Sequence, residues 1–223
     1  MAPTTNARLA GLTYLFYIAL GIANEVLMHR AKGAEGVGAK LVRVAEYAAE
    51  VRVAILLALL ECFSAIVVGV ALYAITREVD HELAMIAMIC RAAEGIINAV
   101  SITSNLELLW LATARDGVGA LDAATANTLG TFLLIPGGPI GACFFALGSA
   151  IFSFLLLRGR IVPVSLSWFG VFSSVLLVVG LPLNVAGFLT GSLTGYLWGP
   201  ATAFAVLLGL WLVIKGVATR TTP

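Results

Sequence analysis

The sequence predicts an all-α, polytopic integral membrane bundle of six transmembrane helices, and three observations carry the prediction. Hydrophobic residues make up 61% of the 223 and charged residues only 11%, against roughly 25% charge in a soluble domain. A water-facing surface cannot be built from that composition. The 13 Lys and Arg and the 12 Asp and Glu residues cluster between long apolar stretches instead of spreading along the chain. Most of those stretches reach the roughly 20 residues that cross a hydrocarbon core as a helix, the element that satisfies its backbone polar groups internally. The net charge of +1 lacks the basic footprint of nucleic-acid binding, so no nucleic-acid partner is expected.

The elements follow in order. The first span runs from about Leu9 to Met28. Arg8 flanks it as it would flank a secretory signal, but its length and the absence of a small-x-small site at Asn24-Glu25-Val26 predict an uncleaved span. From Gly36 onward Lys40, Arg43, Tyr47 and Glu50 recur at three- and four-residue spacing. That rhythm predicts an amphipathic lead-in at the headgroups, ahead of a second span at Val53 to Thr76. The third span takes Leu83 to Ala112. A weaker segment, Ala123 to Leu134, stops at Pro136-Gly137-Gly138-Pro139, where two prolines remove donors and disfavour helix before them. An interfacial helix or a span broken before Pro136 both fit. Pro139 to Leu157, Pro163 to Phe188 and Gly199 to Val217 complete the six. Residues 1–223 thus read as a single transmembrane domain, with polar-centre helices at 9–112 and mostly apolar helices at 123–217.

Lys and Arg tie at six on each side of this topology. The uncharged loop near Gly191 to Tyr196 breaks the tie, because both neighbouring connections are basic. It places the C-terminus, and with six spans the N-terminus, in the cytoplasm of a cell whose inner (plasma) membrane holds the protein. Cys62, Cys90 and Cys143 fall on three helices without C-x-x-C pairing, and His29 and His81 lie far apart. Neither a disulfide framework nor a metal site is expected, nor any cofactor.

The third span carries the strongest local signal. Arg91, Glu94, Asn98, Ser101 and Asn105 follow at spacings of 3, 4, 3 and 4, so all five project from one helix face. They make a seam roughly 21 Å long at the usual rise of 1.5 Å per residue. Gly95 beside it admits a close neighbour, and Arg91 can pair with Glu94 across one turn. A charge near the centre of a span costs about 2.5–3.5 kcal/mol, so this face is expected to look inward. Tyr14, Tyr17, Gly21, Asn24 and Glu25 keep a similar rhythm on the first span, and Glu61 and Ser64 lie on the second. Glu25, Glu61, Arg91, Glu94 and Asn98 are therefore expected to line one intramembrane polar centre. Three carboxyls there face one permanently charged guanidinium. At least one is left as a neutral acid able to give up a proton.

From these residues the expected function is binding of a membrane lipid or hydrophobic small molecule. Glu61 or Glu94 would be the catalytic acid of an isomerisation or cyclisation of isoprenoid type. Arg91, Asn98, Ser101, Asn105, Glu25 and Tyr17 would hold the ligand. Proton-coupled transport of a small solute, and a non-catalytic role as an accessory or scaffold subunit, remain alternatives. So does a pair that only fixes helix register. No inverted repeat of the polar stripe is visible, which lowers the transporter reading. A homo-oligomer or a larger membrane complex stays open.

Several short motifs resemble a bacterial membrane family known only as domain of unknown function 4386. They are Arg8-Leu9-Ala10-Gly11-Leu12-Thr13-Tyr14-Leu15, Leu72-Tyr73, Arg91 through Glu94, Phe144-Phe145, and Leu210-Trp211-Leu212-Val213-Ile214-Lys215-Gly216. The resemblance spans nearly the whole chain. It implies a six-helix or similar membrane protein and no assigned reaction. The connection Arg158-Gly159-Arg160-Ile161-Val162-Pro163 departs from the Ser-Gly and Pro-Arg pattern associated with the family.

Overall fold

The structure, a computed structural model, describes residues 3–114, 122–134, 140–189 and 193–217. Among them are eight helices and no strand: α1 Pro3–Lys32, α2 Val37–Glu46, α3 Ala48–Thr76, α4 His81–Thr113, α5 Ala123–Leu134, α6 Ile140–Arg158, α7 Val164–Val185 and α8 Leu193–Ile214. All but α2 and α5 are long and apolar enough to cross a membrane, giving the expected six spans of a multi-pass protein. The helices run past the apolar stretches that identify them. With 33 residues, α4 is about 50 Å long and exceeds a hydrocarbon core of about 30 Å. Its ends therefore reach the headgroups or the helix tilts.

The amphipathic lead-in is a separate helix. Gly36, at φ 81°, precedes α2, and Tyr47 separates α2 from α3. Leu41 and Val44 form the buried stripe of α2, while Lys40 and Arg43 are only partly covered. Asp122 begins α5 by accepting hydrogen bonds from the N–H groups of Ala124 and Thr125 at 3.0 Å and from the Thr125 hydroxyl at 2.6 Å. At 12 residues α5 is about 18 Å long, too short to cross alone. The Pro136 to Pro139 break, Arg115 and Asp116 lie outside the described residues. Pro182 does not end α7, which continues to Val185.

By packing, the chain divides into two units. The first comprises Met1–Ile18, Cys62–Ile97 and Pro139–Pro223. Its core gathers Phe152, Leu155, Leu156, Leu208 and Leu212 with Ala7, Ala10 and Val68, and α7 packs against both α6 and α8. Small residues let the backbones close: a Cβ on Gly11 would lie 2.6 Å from the Gly209 carbonyl, and one on Gly95 2.7 Å from that of Cys62. The second unit comprises Ala19–Glu61 and Asn98–Gly138. Leu41, Val44, Val51, Leu108 and Leu111 form its core, with α2 packed on α5.

The burial pattern on α4 is inverted relative to a soluble helix. Arg91 and Glu94 are each 1% exposed, whereas Ile96 is 59% exposed and Val100 65%. Apolar side chains that face outward in this way are stable only against lipid.

Candidate functional site

Arg91 and Glu94 stand one turn apart on α4, and their buried side chains form an ion pair, Nη1 to Oε2, at 2.6 Å. The approach is close, but neither atom has hydrogen-bond alignment with a partner, so the contact is Coulombic. The other carboxylate oxygen is better served. Tyr17 on α1 donates its phenol hydrogen to Glu94 Oε1 at 2.7 Å, a charge-assisted bond of the stronger kind.

The guanidinium is enclosed by aromatic rings. Its central carbon lies 4.9 Å from the Tyr17 ring centroid and 4.8 Å from that of Phe145 on α6. Desolvated cation–π contacts of this kind contribute about 2 kcal/mol each, which offsets part of the cost of burying the charge. Tyr14, 3% exposed, packs 6.3 Å from Tyr17 between ring centroids. Two glycines admit the arginine stem. A Cβ on Gly69 would fall 2.9 Å from Arg91 Cβ, and one on Gly148 3.4 Å from Arg91 Cγ.

One feature of the arginine is unsatisfied. Nε and Nη2 are buried and have no hydrogen-bond partner among the described residues. Arg carries five N–H donors in a rigid fork, and buried donors without acceptors are rare enough to need an explanation. A single carboxylate balances the charge and two rings stabilise it, without filling the fork.

The expected site residues fall in both units. Tyr17, Arg91 and Glu94 come together in the first. Glu25, Glu61, Asn98, Ser101 and Asn105 belong to the second. There Glu61 Oε1 lies where a Gly21 Cβ would be only 2.7 Å away, so α1 closes directly over that carboxyl. Lys32 at the end of α1 donates to Asn105 Oδ1 at 3.0 Å. Glu25 and Ser101 are exposed, and Asn98 is half-buried. Glu25 lies about two turns before the end of α1, and His29 and Arg30, which follow it there, are exposed too.

Sequence reasoning did not place Phe145, Gly69, Gly148 or Lys32 in any site. Phe145 sits in an apolar span among apolar neighbours and carries no pattern of its own. Lys32 reads as a loop charge until α1 is seen to extend to it. Tyr14 had a usable signal, since it shares the three-residue spacing of Tyr17.

Fold and site together define a polytopic α-helical membrane protein with an arginine–glutamate pair sealed among aromatic rings. The chain belongs to the family described as domain of unknown function 4386, whose profile matches residues 9–216. No curated protein and no solved structure matches it.

Proposed function

We propose that this protein binds a hydrophobic small molecule through an oxygen acceptor directed at Arg91. The observation that carries the reading is the buried guanidinium whose Nε and Nη2 lack a hydrogen-bond partner among the described residues. A planar fork whose faces are covered by rings can meet an acceptor only along its edge, and a carboxylate, phosphate or carbonyl oxygen has the geometry for that edge. Membrane-soluble acids, quinones and isoprenoid derivatives carry such groups. Acid–base chemistry on the bound molecule, of the isomerisation or cyclisation type, would run through the Tyr17 and Glu94 pair. Tyr17 donates to Glu94 Oε1 at 2.7 Å, so a proton passed from this pair to the bound molecule, with Glu94 as the acid, would return to it as a neighbouring carbon loses its own.

Extraction of the purified protein with organic solvent, followed by mass spectrometry, tests the binding. A species enriched with the wild type and lost with Arg91→Gln is expected. Identical extracts from the two proteins contradict it. The rival reading, a pair that only fixes helix register, is favoured by the tight packing of Gly69 and Gly148 on the Arg91 stem. It predicts that second result.

We also propose that both termini face the cytoplasm of the inner membrane, on the strength of the basic ends of α6 and α8. Reporter fusions at the C-terminus check this. Activity of a periplasm-dependent reporter there would reverse the orientation.

A further inference from the structure

A second candidate site lies at one end of the first unit, where α6 ends, α7 begins and α8 ends. A cavity of about 350 Å³ is lined there by Arg160, Ile161, Val162, Pro163, Trp211 and Lys215, among others. That volume is within the range of small-molecule pockets. Its chemistry is divided: an aliphatic and indole wall, with two exposed cations beside it. Neither Arg160 nor Lys215 is paired with a carboxylate among the described residues. Asp80, on the same unit, is already taken by Arg158 at 3.0 Å.

The backbone at Arg160 points the same way. Ile161 N–H reaches the Leu156 carbonyl and Arg160 N–H that of Leu157, both at 3.1 Å, which is the Schellman ending of a helix. The residue in the left-handed position of that motif is ordinarily glycine. Here it is Arg160, at φ 48°, although Gly159 is the adjacent residue. The corresponding position after α8 is a glycine, Gly216 at φ 70°. A cation held where glycine is favoured marks a side chain kept for what it contacts.

We propose that this cavity is a binding site for the phosphate headgroup of an anionic membrane phospholipid. The cations would take the phosphate, and the apolar wall with Trp211 would take the glycerol and the first methylenes of the chains. Charge complementarity selects an anion. The position at the ends of three spans, beside a tryptophan of the kind that settles at headgroup depth, selects a lipid over a soluble phosphate. Cations at helix C-termini also complement the helix dipole, so the test must separate binding from capping.

Protein is reconstituted in phosphatidylcholine bilayers containing a small fraction of chain-brominated phosphatidylglycerol, and tryptophan quenching is recorded. The Trp211 share is isolated by subtracting the Trp211→Phe variant. Saturable quenching by the anionic lipid is expected. It should weaken about fivefold in Arg160→Gln or Lys215→Gln and about thirtyfold in the double variant, from the usual strength of one headgroup cation. Arg160→Gly discriminates. It should weaken lipid binding about fivefold while raising thermal stability, because glycine adopts φ 48° without strain. Unchanged lipid binding in Arg160→Gly would overturn the proposal, and a loss of stability in the same variant would assign Arg160 to capping. Equal quenching by brominated phosphatidylcholine would also overturn it. So would displacement by millimolar glycerol phosphate, which would assign the site to a soluble anion.

Discussion

Replacing Glu94 with Gln removes the carboxylate that lies 2.6 Å from Arg91 and leaves a guanidinium that cannot give up its charge. Glu94 is the one carboxylate paired with Arg91 among the described residues, and Nε and Nη2 are already without partners there. Breaking a buried ion pair from one side costs about 3–5 kcal/mol, and insertion of an unpaired charge near a helix centre about 2.5–3.5 kcal/mol. The two routes together bracket the loss at about 2.5–5 kcal/mol. Arg91→Gln is the milder change, because the remaining carboxyl keeps the Tyr17 hydroxyl and can bind a proton. The double variant Arg91→Gln with Glu94→Gln removes both charges and should be more stable than Glu94→Gln alone. Reversible unfolding in mixed micelles, with the four proteins compared as a cycle, measures this. A coupling of about 2 kcal/mol or more is expected. Additivity of the two single changes within about 0.5 kcal/mol would mean that the pair is solvated, and the account of the site would fail.

Other outcomes follow from neighbouring contacts. Tyr17→Phe keeps the ring beside Arg91 but strips Glu94 Oε1 of its donor, and unfolding in micelles should report a loss of about 1.5–3 kcal/mol; no loss would mean that the bond is dispensable. Gly95→Ala sets a methyl 2.7 Å from the Cys62 carbonyl, a backbone atom that cannot swing aside, so about 1–3 kcal/mol should be lost. By contrast Gly195→Ala meets open space within α8 and should be neutral or stabilising by up to about 1 kcal/mol. Equal effects of the two alanines would contradict the packing described. At α5 the Thr125 hydroxyl and N–H hold the Asp122 carboxyl below its usual range. A depressed folded value means that the cap is at full strength above the ordinary carboxylate range and is lost as pH falls through the lowered value. Asp122→Ala should abolish that acid dependence and speed amide exchange at Thr125, and unchanged exchange would remove the cap.

The six spans were legible because lipid imposes a coarse rule, about 20 apolar residues per crossing, and α1, α3, α4, α6, α7 and α8 all obey it. Their true ends were not, since hydropathy stops at Met28 while backbone hydrogen bonding carries α1 on to Lys32. The inward turn of Arg91 and Glu94 could be read from their spacing together with the cost of exposing charge to hydrocarbon. Further along the stripe the same logic weakens: Ser101 is exposed, and a hydroxyl can satisfy itself on its own helix at small cost. The aromatic enclosure was hidden for a different reason. A phenylalanine such as Phe145 looks identical in sequence whether it meets lipid or a guanidinium, and only the tertiary packing of α6 decides. Gly69 and Gly148 were equally silent, because a glycine's importance lies in which side chain approaches it.

The most direct test of the ligand claim is an experimental map of the protein in a native-lipid nanodisc, resolved well enough to place side chains around Arg91. An acceptor atom of a bound molecule is expected about 3 Å from Nε or Nη2, with Tyr17 and Phe145 still covering the faces of the guanidinium. A map of the wild type in which that edge is closed by the protein's own side chains would contradict the claim.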